Sequence, residues 1–69
     1  MSWYWEVIWS DRNGEQYSSA CKSGYATRHA AERAYELGEE DIHEQLAQQG
    51  GVRIVEVAIV FRDDYIFPN

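Results

Sequence analysis

Cysteine, basic charge and long apolar runs are all scarce in this chain. Cys21 is the only cysteine among 69 residues, so no disulfide forms within the chain. Its position shows no signature of an activated thiol, and a small strand residue is the simpler reading. His29 and His43 stand near opposite ends of one predicted helix, too far apart to share a metal, so no metal site is expected. No nucleophile, base and orienting group can be assembled. Gly50-Gly51 lies between helix and strand, whereas a phosphate loop runs from strand to helix. The expectation is a protein that is not an enzyme and needs no cofactor.

Lysine and arginine number six against twelve aspartates and glutamates, for a formal net charge of −6. Non-specific nucleic-acid binding rests on a basic surface, so nucleic acid is not an expected partner. No apolar run is long enough to span a bilayer, and no basic segment leads into an apolar one at the N-terminus. This predicts a soluble, cytoplasmic protein, and a free cysteine fits a reducing compartment. Residues 1–69 read as a single small α+β domain, with no repeat, linker or low-complexity segment. So small a chain, without staples, often gains stability by oligomerising.

Residues 23–49 organise the rest. Ser23-Gly24 ends the preceding strand, and Thr27 can cap a helix through its hydroxyl. At 100° per residue, Ala30, Ala31, Ala34, Tyr35, Leu37, Gly38, Ile42 and Leu46 fall on one side. Glu32, Glu36, Glu39, Glu40, His43 and Glu44 fall on the other. Gly50 supplies the stop. Two features oppose a simple helix: Gly38 costs roughly 1 kcal/mol against alanine, and glutamates spaced four apart repel one another. A break at Gly38 would relieve part of this; one helix, kinked or straight, is the preferred reading.

Residues 3–9, WYWEVIW, form the first predicted strand, with Trp3, Trp5, Val7 and Trp9 on one face and Tyr4, Glu6 and Ile8 on the other. Asp11-Arg12-Asn13-Gly14 is a hairpin signal, since Asn-Gly tolerates the positive φ of tight turns. Residues 15–22 return as a polar second strand suited to a sheet edge. Residues 52–61 are the third and most apolar strand. Val55, Val57, Ile59 and Phe61 are expected on one face, with Ile54, Glu56, Ala58 and Val60 on the other. Asp63-Asp64 reads as a turn before Tyr65-Ile66-Phe67.

The order β-β-α-β, with alternating direction, predicts a two-layer α+β fold. A three-stranded antiparallel sheet in order 2-1-3 packs on one long helix. One helix covers one sheet face, leaving Tyr4, Ile8 and Val60 as candidate partner or dimer contacts on the other. The apolar third strand at a free edge points to a homodimer. Charge is lopsided too: residues 1–35 are balanced, and residues 36–69 carry the whole −6. Glu36, Glu40 and Glu44 form an acidic stripe suited to a protein partner with a basic surface.

The segments WEVIWSDRNGEQ and SGYATRHAAERAYELGEE resemble the AP2-like, arm-type DNA-binding domain of tyrosine recombinases. The resemblance covers about half the chain, residues 4–40. It implies a DNA-binding module using the sheet, with Arg12, Lys22 and Arg53 as contacts. Members of that family usually complete three strands before the helix and present a basic sheet, unlike this chain. The β-β-α-β order, small size and acidity are also similar in format to small phage-encoded proteins that inhibit host machinery, anti-CRISPR proteins among them. The reading favoured here is a non-enzymatic protein-binding module of phage or mobile-element type that binds and inhibits or modulates a host protein. The alternatives are the DNA-binding module and a purely structural subunit.

Overall fold

The structure is a computed structural model describing residues 1–63. The predicted turn at Asp63-Asp64 and the segment Tyr65-Ile66-Phe67 fall at or beyond this limit; the segment lies outside the described residues. Within them the elements are β1 (Ser2–Asp11), β2 (Gln16–Ala20), α1 (Arg28–Gln48) and β3 (Gly51–Arg62). The sheet is antiparallel in the order β2-β1-β3, as the sequence predicts. The most aromatic strand is therefore central, and the short polar strand is one edge.

α1 lies over the Trp5–Val7–Trp9 face of β1. Val7 is fully buried, and Trp9 and Leu46 join it in the core, with Trp5, Tyr35 and Ile42 packed around them. Full burial of a side chain such as Val7 or Leu46 stabilises the fold by about 1.5–3 kcal/mol. The aromatic rings interlock across strands. Trp3 stacks on Phe61 at 4.9 Å, Trp9 on Tyr17 at 4.7 Å, and Trp5 meets Tyr35 edge-on at 5.9 Å.

α1 runs unbroken through Gly38 for 21 residues. The Thr27 hydroxyl accepts a hydrogen bond from the Ala30 N–H at 3.0 Å, the predicted cap. At the other end Gly50 takes φ +94° and its N–H donates to the Ala47 carbonyl, so helix and strand are joined by a left-handed turn. Gly51 is needed for space instead: a Cβ there would sit 2.9 Å from both the Leu46 carbonyl oxygen and Trp9 Cε3.

The structure corrects four details. The β1–β2 turn has positive φ at Gly14 alone, not at Asn13. Asp11 sets the turn by accepting from the N–H groups of Asn13 and Glu15 at its Oδ1 and from that of Gly14 at its carbonyl. This matches a type I turn closed by a left-handed glycine. Second, the register of β3 against β1 shifts between Ile8 and Trp9, so that Val55 is bulged out. Because side chains alternate, one extra residue moves Ile54 onto the Trp9 face, away from the Ala58–Val60 face expected for it. Third, Leu37 does not join the helix's apolar side but is 80% exposed. It lies about 200° round the helix from Tyr35.

Finally, Tyr4 is only 3% exposed and belongs to the core. Beyond β2 the chain returns to β1, where Tyr25 and Trp3 exchange two 2.8 Å backbone hydrogen bonds. That places Gly24 against Tyr4, and a Cβ on Gly24 would meet Tyr4 Cζ at 2.9 Å and overlap Ser2. The glycine expected as a strand breaker thus also leaves room for the Tyr4 ring.

Three substitutions test the helix placement. Leu46→Ala should cost about 2–5 kcal/mol by opening the core. Leu37→Ala should change stability by less than about 0.5 kcal/mol, as an exposed site. Gly38→Ala should stabilise by up to about 1 kcal/mol, because its new Cβ meets only the Ile42 side chain, at an ordinary 3.6 Å from Cδ1. Chemical denaturation of each variant reads all three. Loss of stability in Gly38→Ala would contradict a straight, regular helix at that position.

Candidate interaction surface

The outer face of α1 is set by what its inner face buries. With Tyr35, Ile42 and Leu46 turned to the sheet, the 3.6-residue period places Arg33, Glu36, Leu37, Glu40 and Glu44 outward. Glu36, Glu40 and Glu44 are all exposed, spread over about 12 Å of helix axis at 1.5 Å per residue. Leu37 stands among them as the most exposed large apolar side chain described. Glu32, which continues the spacing toward the N-terminus, is held by Arg28 at 3.0 Å and so is partly neutralised. Among the described residues, the remaining three carboxylates have no such cation.

The helix dipole does not offset this charge. The first turn holds no acidic residue and the last turn no basic one, so Glu44 adds to the partial negative charge of the helix C-terminus. Mutual repulsion of the stripe costs a few tenths of a kcal/mol per neighbouring pair.

On the second candidate surface, the face of the sheet away from the helix, the expected residues fare unequally. Tyr4 is buried and is therefore not an accessible contact, while Ile8 and Val60 are half-buried. Charge interrupts this face: Glu6 binds Arg62 at 3.0 Å, and Glu56 is paired opposite Ile8. The residues considered for DNA contact do not converge. Arg12 lies in the β1–β2 turn, and Arg53 pairs with Ser10 at the same end of β1. Lys22 follows Cys21, whose N–H reaches the Trp5 carbonyl; Trp5 and Ser10 are about 17 Å apart along a strand rising about 3.3 Å per residue. Asp11 and Glu15 share the Arg12 turn.

A cavity of about 180 Å³ opens where α1 meets β3, lined by Trp9, His43, Leu46, Gly51, Arg53 and Ile54 among others. That is smaller than the roughly 300–1,000 Å³ of small-molecule sites. The His43 imidazole in its wall shares a 2.9 Å hydrogen bond with the Tyr35 hydroxyl. Burial pushes the Tyr35 phenol up, with help from the Glu39 carboxylate, and burial likewise pushes the Cys21 thiol up, away from reactivity. Among the described residues no group of three His, Cys, Asp or Glu side chains gathers around a point that could hold a metal. No helix among them is long and apolar enough to cross a membrane.

Comparison with protein-family models, with curated proteins and with solved structures finds no match.

One polar cluster was not foreseen. The Tyr17 hydroxyl lies 2.9 Å from Glu15 Oε2 and 3.2 Å from Asp11 Oδ2. Hydrogen bonding to Glu15 first, then Asp11, pushes its phenol up to about 12. A phenol whose pKa is raised on folding favours its protonated form in the native state. Its contribution is present below the ordinary value near 10 and is lost as pH rises from there through about 12. Ultraviolet difference titration should show a tyrosine step near pH 12, and that step should be missing in Tyr17→Phe. A late step that survives the substitution would contradict the assignment.

Proposed function

We propose that this chain is a non-enzymatic protein-binding module that docks the outer face of α1 onto a basic protein surface. The observation that carries the reading is Leu37, 80% exposed amid Glu36, Glu40 and Glu44. An exposed leucine contributes nothing to this fold, and the surrounding glutamates repel one another. On a partner, both become useful. Leucine supplies an apolar anchor, and the glutamates supply steering and register against lysine and arginine. The field of Glu44 and the helix C-terminus points the same way.

A short acidic rod of this kind repeats negative charge at regular intervals, so it suits a groove that otherwise receives nucleic acid. Small phage-encoded proteins that inhibit host machinery share this format, and inhibition or modulation of a host protein of that sort is the role we assign. Use of the sheet for DNA is less well supported, because Arg12 and Arg53 lie at one end of β1 and Lys22 lies toward the other.

Replacing Glu36, Glu40 and Glu44 with glutamine separates docking from mere solvation. The isolated triple variant should melt slightly higher, because repulsion is relieved while helix propensity is kept. Capture of a host partner by the wild-type chain, followed by association kinetics at two salt concentrations, should show slower association and a shallower salt dependence in the variant. Leu37→Ala should instead speed dissociation, without loss of stability. Unchanged kinetics in both variants would remove this face from the interface. Binding of the wild-type chain to random duplex DNA, steeply weakened by salt, would favour the DNA-binding alternative.

A further inference from the structure

We infer that the outer edge of β3 pairs antiparallel with β3 of a second copy of this chain, about a two-fold axis at Ile59. This surface is separate from the outer face of α1 and does not depend on it. Among the described residues β3 is the terminal strand of the sheet on its side. The direction of its free peptide groups follows from β1. Trp3 exchanges both backbone hydrogen bonds with Tyr25, and the Trp5 carbonyl accepts from Cys21 N–H. Odd-numbered residues in this part of β1 therefore turn their peptide groups toward β2, and even-numbered ones toward β3. Ser2, Tyr4 and Glu6 are the partners of Arg62, Val60 and Ala58. The N–H and C=O groups of Val57, Ile59 and Phe61 must then point to the outer edge.

These same three residues carry apolar side chains on the helix-side face. Val57 is 41% and Phe61 50% exposed, and Ile59 is half-buried. The bulge at Val55 ends the regular run of β3, leaving Glu56 to Arg62 as the straight segment. Among the described residues nothing covers this edge, and an apolar edge of that length is a template for another strand. A two-fold interface is self-complementary, so its centre fixes every contact. Centred on Ala58, Glu56 would meet Val60 and Arg62 would meet Ile54. Centred on Val57, Glu56 would meet Ala58 and Arg62 would meet Val52. Centred on Glu56 itself, two carboxylates would face each other.

Centred on Ile59, Glu56 of each copy faces Arg62 of the other. In the same register Val57 faces Phe61, and Ile59 faces its own copy, on the helix-side face. The Arg62 guanidinium also holds Glu6 of its own chain at 3.0 Å. Charge complementarity thus selects one register, and that register also matches large apolar side chains with one another.

Sedimentation of the whole chain should show a species of twice the 8.0 kDa chain mass at micromolar concentration. The Val57, Ile59 and Phe61 amides should be protected from exchange in proportion to dimer, whereas Ala58 and Val60 are protected at every concentration. Isotope-filtered NMR on a mixed labelled sample should show Ile59–Ile59 and Val57–Phe61 contacts between copies. Glu56→Arg and Arg62→Glu should each raise the dissociation constant roughly tenfold or more, and mixing the two should restore dimers, since both cross pairs are then opposite in sign. A monomer at millimolar concentration, or a dimer whose odd-numbered β3 amides exchange freely, overturns the inference. Contacts between copies in another register overturn the Ile59 centre, and this reading holds even if Arg62→Glu fails to fold.

Discussion

The indole of Trp9 meets every element of the fold. It stacks on Tyr17, and its Nε1–H donates to the Ser19 hydroxyl at 3.1 Å, which ties β1 to β2. It packs with Leu46 beneath the last turn of α1 and pairs across the sheet with Ile54 of β3. Its ring also occupies the space that a side chain at residue 51 would need, so the helix can turn into β3 only through glycine. Burying a tryptophan demands a partner for its N–H, and Ser19 supplies one from an otherwise exposed, polar strand. A core this small has few large residues, so much of the geometry follows from where this ring is seated.

The broad fold was legible because its signals agree. Alternating aromatics mark β1, Thr27 and Gly50 bound the helix, and the β-β-α-β order leaves β1 central. The details that escaped are those that depend on tertiary placement. Nothing in the spacing of residues 52–61 announces that Val55 is bulged, yet that one residue moves Ile54 to the helix side. Leu37 is apolar and falls on the side of the helix that the spacing predicts to be apolar, and only the burial of Tyr35 and Leu46 shows that it faces away. Tyr4 is buried by Gly24, twenty residues later, through a strand-like return that polarity alone does not reveal.

The candidate surfaces divide in the same manner. Glu36, Glu40 and Glu44 could be placed on one helix face from period alone, because exposed carboxylates follow the helix axis regardless of packing. Ile8 and Val60 were on the correct sheet face, but their accessibility depends on neighbours that the sequence does not locate. Arg12, Lys22 and Arg53 look dispersed in sequence and are dispersed in space. The exposed leucine and the directed peptide groups of β3 emerge only once β1 is seated under α1. Both surfaces are therefore consequences of the same core: the helix turns Leu37 outward in order to bury Leu46, and β1 turns the peptide groups of Val57, Ile59 and Phe61 outward by bonding their neighbours.

Hydrogen exchange at the three indole N–H groups tests the role of Trp9 most directly. If its ring is the keystone, the Trp9 Nε1–H exchanges only on global unfolding. Its opening free energy should then equal the unfolding free energy measured by denaturant, and Trp3 and Trp5 should exchange faster. A Trp9 indole that exchanges as fast as the other two, well below the global stability, would contradict the account.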